Sequence, residues 1–216
     1  LQKMIIQFVQ FSSDQNNDEE DSEWNLSKGC LYILSILVKV CELKNISDFF
    51  KELETQIKAS LNNDQMRCTC WLLLSSAINT KYKDLAIKIL NLFISKILKD
   101  LEPVSKPQLQ KSASFLLKKA TKAFPKLIET SKLDNLFIAL LTCLQKCNSS
   151  TGINICHSIQ NIIKFHGDLQ TKKSSNNLSN FFAKLIQGLF LKAEDELANP
   201  KDDFGKLSLS RLMTLA

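Results

Sequence analysis

The stretch Asp14-Gln-Asn-Asn-Asp18-Glu19-Glu20-Asp21-Ser-Glu23-Trp24-Asn25 separates an apolar segment over residues 1–12 from a long apolar segment that begins at Leu26. Six carboxylates (Asp14, Asp18, Glu19, Glu20, Asp21, Glu23) stand there with no basic residue among them. Unpaired charges stay in water, so residues 13–23 read as a solvated loop joining two packed helices. Taken alone, such a loop is a solubilising connector. Placed inside a chain of repeated helix pairs, it becomes a charged loop projecting over a binding surface.

The flanking chain supports the helical reading. It is 44% hydrophobic and 23% charged, the balance of an ordinary folded protein, and only five glycines and four prolines punctuate its 216 residues. Few segments alternate apolar with polar residues, which argues for long helices over a sheet. Apolar periodicity predicts helices near residues 1–12, 25–43, 46–61, 64–79, 83–101, 106–128, 130–147, 151–166, 177–196 and 203–215. Asn25 and Ser27, Asn45 or Ser47, and Asp64 are candidate caps. Pro103 and Pro107 bracket another helix start, and Asn199-Pro200 breaks the chain before Asp202 and Asp203. His166-Gly167-Asp168 reads as a helix terminus by its glycine.

The second helix of each successive pair begins near residue 25, 64, 106, 151 or 203. These spacings fall near the ~40–47-residue period of HEAT or armadillo arrays. A helix pair that leaves one apolar face uncovered is stable only when stacked on neighbours, so the expected fold is an all-α solenoid of HEAT-type antiparallel pairs. Residues 1–216 would form about five repeats of one solenoid segment. A globular α-bundle of unrelated design is the competing architecture. The chain begins at Leu1 inside an apolar segment, which suggests a piece of a longer protein.

Charge is unevenly spread. Of the 22 acidic residues six lie in the 14–23 stretch, so the other 16 face 28 lysines and arginines, a net +12 against +6 overall. An acidic loop on a basic body should govern partner choice. On the helix predicted over 106–128, Ala113, Leu116, Leu117, Ala120 and Phe124 form one apolar stripe. At 100° per residue Lys111, Lys118, Lys122 and Lys126 fall on the opposite, solvent side. A solvated face is the plainer reading; a groove for an acidic ligand, or for the acidic loop in cis, is the other. Either way a basic partner is expected to avoid this wall.

Other chemistry is sparse. The seven cysteines (30, 41, 68, 70, 143, 147, 156) sit mostly in apolar helical stretches and read as reduced, buried thiols. Cys143 and Cys147 at i,i+4 with Cys156-His157 beyond are the one conceivable metal set, although core cysteine is the commoner use. No Gly-rich phosphate loop, paired-His metal motif or Gly-x-Ser-x-Gly elbow is present, so no enzyme and no cofactor is expected. The lysines lack interleaved exposed aromatics and the acidic loop opposes phosphate, so direct nucleic-acid binding is not expected. The apolar run Leu31–Val38 stops at Lys39 and Glu42, short of the roughly 20 residues of a membrane span. No signal-peptide pattern is present.

The acidic stretch running into Glu23-Trp24-Asn25-Leu26-Ser27-Lys28-Gly29-Cys30 resembles the importin-β (karyopherin-β) family, whose acidic loop precedes Trp-Asn and a small-residue helix. Ile57-Lys-Ala-Ser-Leu-Asn-Asn-Asp64-Gln-Met-Arg67 is similar to that family's first-helix end, Asp turn and Arg-bearing second helix. Lys111-Ser-Ala-Ser-Phe115 and Ile153-Asn-Ile-Cys156-His157-Ser-Ile-Gln-Asn161 occupy further second-helix positions, and Phe204-Gly-Lys-Leu-Ser-Leu-Ser-Arg-Leu-Met213 resembles the family's late small-residue helix ending in Leu-Met. Phe115 and His157 stand where relatives carry cargo-gripping tryptophans, leaving Trp24 as the family-like one; Trp71, among leucines, reads as core.

The resemblance implies a nuclear import receptor segment, moving between cytoplasm and nucleus through the nuclear pore. Protein cargo or an importin-α-like adaptor would bind on its concave side, Ran-GTP would release it, and FG-nucleoporins would dock on the convex side. The acidic loop with Trp24 and Asn25 would be the protein-binding element, touching a basic patch on Ran. A HEAT scaffold that assembles a static complex without responding to Ran is the alternative of a different class.

Overall fold

The computed structural model describes residues 43–78, 82–124 and 133–170, with isolated helical positions at Gln7, Tyr32, Ile33, Ile36, Gln187 and Glu194. Among the described residues every regular element is helical: six α-helices and one 3-10 turn. They are α1 (Leu43–Ala59), α2 (Asp64–Ile78), α3 (Lys83–Asp100), α4 (Pro107–Ala123), α5 (Leu133–Lys146) and α6 (Ser149–Gln170). The chain divides into two compact units, Leu1–Ile94 and Ser95–Ala216. The rest of the expected helices near 1–12, 25–43, 177–196 and 203–215 lies outside the described residues.

In the first unit, α1 forms because Ile46, Phe49, Phe50, Leu53 and Ile57 recur at helical spacing, and all five are buried. Phe49 and Phe50 meet edge to face at 5.4 Å, a geometry that lets a positive ring edge meet a negative face. Its outer side is pinned by one-turn pairs, Lys58 to Glu54 at 2.7 Å and Lys51 to Asp48 at 3.8 Å. The helix closes in the 3-10 turn Ser60–Asn62, and Asn63 then turns to extended backbone (φ −123°, ψ 102°). Asn63 is the cap of α2: its Oδ1 accepts from the Met66 N–H at 3.0 Å, and its carbonyl accepts from the Arg67 N–H at 3.0 Å. Asp64, the expected cap, instead sits in the first turn and accepts from Arg67 at 2.7 Å. Both residue types suit an N-terminus, Asn63 as cap and Asp64 as the anion that complements the helix dipole.

α2 is surrounded on most sides. Cys70, Trp71, Leu73, Leu74 and Ala77 have no exposed surface, so Trp71 is a core residue as its leucine neighbours suggest. Arg67 is buried too, and its guanidinium closes the α1–α2 turn by donating to the carbonyls of Ser60 (2.9 Å) and Leu61 (2.8 Å). Burial pushes the Cys70 thiol up from an ordinary 9.0 to about 12, outweighing a Ser60 hydrogen bond that favours the thiolate. The neutral thiol's contribution to stability is therefore complete below pH 9 and fades as the pH climbs toward 12. Cys70 is expected to resist a thiol reagent in the native protein at pH 8, while half-exposed Cys68 reacts first. Peptide mass mapping of the labelled protein checks this; equal labelling of both would mean that α2 opens readily.

In the second unit, a turn after α3 is stitched by Glu102 N–H to Lys99 O (3.0 Å) and Ser105 N–H to Glu102 O (2.9 Å). Pro107 then opens α4 in the first-turn position where its missing N–H costs nothing. The sequence pattern predicts this helix to residue 128, but it ends at Ala123. Phe124 leaves helical backbone (φ −140°, ψ 66°), as a residue before proline must when Pro125 Cδ crowds its α region. α5 and α6 form a hairpin across Cys147 and Asn148. Asn148 caps α6 by accepting the Thr151 N–H at 3.0 Å, so the helix starts two residues before the predicted 151. It also does not stop at Gly167. Among the described residues no glycine has positive φ, and without the left-handed turn α6 runs through His166-Gly167-Asp168 to Gln170.

The principal packing of this unit joins α4 to α6. Asn154 Nδ2 donates to Ser114 Oγ at 3.4 Å, and Asn161 Nδ2 donates to Thr121 Oγ1 at 3.3 Å. Both pairs are 40 residues apart in sequence. A constant offset at two points two turns apart means that α4 and α6 run parallel, in register, with the antiparallel α5 between them in the chain.

Candidate functional site

The expected protein-binding element, Asp14, Asp18, Glu19, Glu20, Asp21, Glu23, Trp24 and Asn25, lies outside the described residues. So does Lys126. Within them, the candidate site is the outer side of α4 and the α4–α6 seam beside it.

α4 buries Leu109, Ala113, Leu116, Leu117 and Ala120, the stripe expected from its periodicity; Phe124, past the helix end, is half-buried. The lysines divide. Lys122 is exposed, whereas Lys111 and Lys118 are half-buried. Lys118 does not simply face solvent as periodicity predicts: its Nζ donates to Asn154 Oδ1 at 3.3 Å, across to α6. Its backbone carbonyl also accepts from Asn161 Nδ2 at 3.5 Å. The seam around it is polar. Ser114 and Thr121 are buried, and each hydroxyl donates back to its own helix, at 2.8 Å to Lys111 O and 2.9 Å to Leu117 O. Ser158 does the same to Asn154 O at 2.9 Å. Each of these amides and hydroxyls has a partner, as burial requires; Thr151 Oγ1, buried near the start of α6, has none among the described residues.

Lys119 belongs to this surface although the expected stripe omits it. Its Nζ lies 5.4 Å from the centroid of the Phe115 ring, within cation–π reach. The signal in the sequence is the Phe115/Lys119 i,i+4 spacing, which stacks the two side chains on one face. Phe115 and His157, at the positions where the resemblance expects cargo-gripping tryptophans, are both half-buried.

Cys143, Cys147 and Cys156 are buried thiols outside any disulfide. Among the described residues no group of three His, Cys, Asp or Glu side chains is arranged to hold a metal ion. No described helix is long and apolar enough to cross a membrane. What this surface can do chemically is electrostatic recognition: α4 carries four lysines and no acidic residue. The chain matches no protein-family model and no curated protein.

Proposed function

We infer that the chain is a segment of an importin-β-like nuclear transport receptor, built as a HEAT-type solenoid. In this reading it binds protein cargo or an importin-α-like adaptor, gives it up to Ran-GTP, and passes the nuclear pore on FG-nucleoporins. The observation that carries the reading is the register of α4 on α6: two hydrogen-bonded pairs, each 40 residues apart, between helices of parallel direction. That is what stacking of successive ~40-residue helix pairs produces. The α1–α2 hairpin, with its Asp64–Arg67 turn, supports the same unit design in the other half. The acidic stretch leading into Trp24-Asn25 supplies the link to transport receptors over HEAT proteins at large.

Clustered carboxylates speed encounter with a basic partner without requiring tight, slowly released contacts. Replacing Asp18, Glu19, Glu20 and Asp21 by Asn and Ser is therefore expected to slow association with a basic cargo peptide about ten-fold at low salt and to flatten its salt dependence. The thermal midpoint should not move. Stopped-flow fluorescence across a salt series, with circular dichroism melts, makes the check. A lower melting point with unchanged association would make the stretch a structural element, and the binding role would fall.

A further inference from the structure

Lys111, Lys118, Lys119 and Lys122 share by helical spacing the side of α4 that carries Phe115, and the Lys119 amine lies over its ring. From Lys111 to Lys122 the helix rises about 17 Å at 1.5 Å per residue, a distance that five or so extended residues cover.

Three lysines on other helices sit one turn from a carboxylate: Lys51 from Asp48 (3.8 Å), Lys58 from Glu54 (2.7 Å), Lys96 from Asp100 (3.4 Å). That is how a merely solvated face is usually built, since opposite charges a turn apart stabilise a helix and like charges oppose it. α4 offers no such pairing within itself. It holds no acidic residue, and Lys118 and Lys122 are a like-charged i,i+4 pair. Two of its amines are also held by neutral groups, Lys118 by the Asn154 amide at 3.3 Å and Lys119 by the Phe115 ring at 5.4 Å. Holding a long side chain before a ligand arrives lowers the entropy lost on binding.

We propose that this face of α4 is a docking surface for an acidic peptide segment of a partner protein. Carboxylates of the extended peptide lie between the lysine amines, and the exposed part of Phe115 packs against its apolar atoms. Charge complementarity selects the occupant: a single-sign basic face attracts acidic segments and repels basic ones. A nucleic-acid strand shares the negative sign, but sequence-tolerant strand binding relies on rings open to stacking. The one aromatic residue of α4 is already engaged by Lys119, and neither α4 nor α6 contains an arginine. This docking surface is independent of the Ran-regulated reading and stands with or without it.

Fluorescence anisotropy with a fluorescein-labelled Glu-rich peptide of about eight residues, long enough to span the face, tests it. The Gln counterpart of the peptide and a single-stranded oligonucleotide serve as the other probes. Changing Lys111→Gln, Lys119→Gln and Lys122→Gln together is expected to weaken the Glu-rich peptide at least about five-fold. The matching triple Lys→Arg variant should retain binding. A control triple of exposed lysines on α3 (Lys83, Lys88 and Lys99, each →Gln) removes the same net charge and should cost less than about two-fold. Circular dichroism confirms that each variant is folded. Equal losses from the α4 and α3 triples would reduce the effect to bulk charge and overturn the proposal. So would no measurable binding of the Glu-rich peptide by the wild-type chain, including the case in which only the oligonucleotide binds in an α4-dependent way.

Discussion

Replacing Trp71 by Ala is expected to cost about 3–5 kcal/mol, the largest effect of any single truncation in the first unit. Trp71 has no exposed surface and lies on α2 beside Leu73, Leu74 and Ala77, which are equally enclosed. Removing the indole forfeits its transfer free energy and also leaves a cavity that close-packed neighbours fill only in part. A loss of that size is a large fraction of a typical domain's stability. Trp71→Phe keeps a ring in the site and should cost distinctly less. Urea denaturation followed by far-UV circular dichroism gives both values. A Trp71→Ala variant within about 1 kcal/mol of wild type would place α2 at the periphery, against the burial described here.

Arg67→Ala is the second large effect, at about 2–4 kcal/mol. The guanidinium is the donor for two carbonyls in the α1–α2 turn, Ser60 O at 2.9 Å and Leu61 O at 2.8 Å. A hydrogen bond from a charged donor contributes about 1.5–3 kcal/mol. The buried Ser60 carbonyl keeps the Asn63 N–H (2.9 Å) and loses its charged donor, while Leu61 is exposed and regains water. The Asp64 partner adds little, because its carboxylate is partly in solvent. Arg67→Lys should recover only part of the loss, since one ammonium cannot reproduce the fork that reaches two carbonyls and a carboxylate together. Denaturation midpoints at fixed pH separate the three forms. Equal stability of the Ala and Lys variants would mean that the charge near Asp64, and not the carbonyl clamp, is irrelevant to the turn.

Helix starts were more legible in the sequence than helix ends. Pro107 and Asp64 mark starts within a residue, because capping residues and first-turn prolines have few alternative uses. The end at Ala123 was obscured by Leu127 and Ile128, whose apolar spacing continues the periodic pattern past Pro125. Gly167 misled in the opposite sense. A glycine inside a helix costs only about 1 kcal/mol, too little to stop α6 by itself. The lysine face was half legible. Periodicity on one helix separates apolar from polar sides, but it cannot tell a polar side that meets solvent from one that meets another helix. Ser114, Lys118 and Thr121 look like a solvent face until Asn154 and Asn161, some 40 residues on, are found opposite them. The acidic stretch lies outside the described residues, and its composition with the Trp24-Asn25 flank carries most of the proposed link to transport.

Capture by Ran is the measurement that bears most directly on the receptor reading. The full-length protein, loaded with a fluorescent basic cargo peptide, is passed over immobilised Ran in its GTP-locked and GDP-bound forms. The account predicts retention on the GTP form alone, with the peptide released into the flow-through as Ran binds, because the two ligands are negatively coupled. A folded protein that ignores both forms of Ran and keeps its peptide would contradict the account and make the chain a static scaffold.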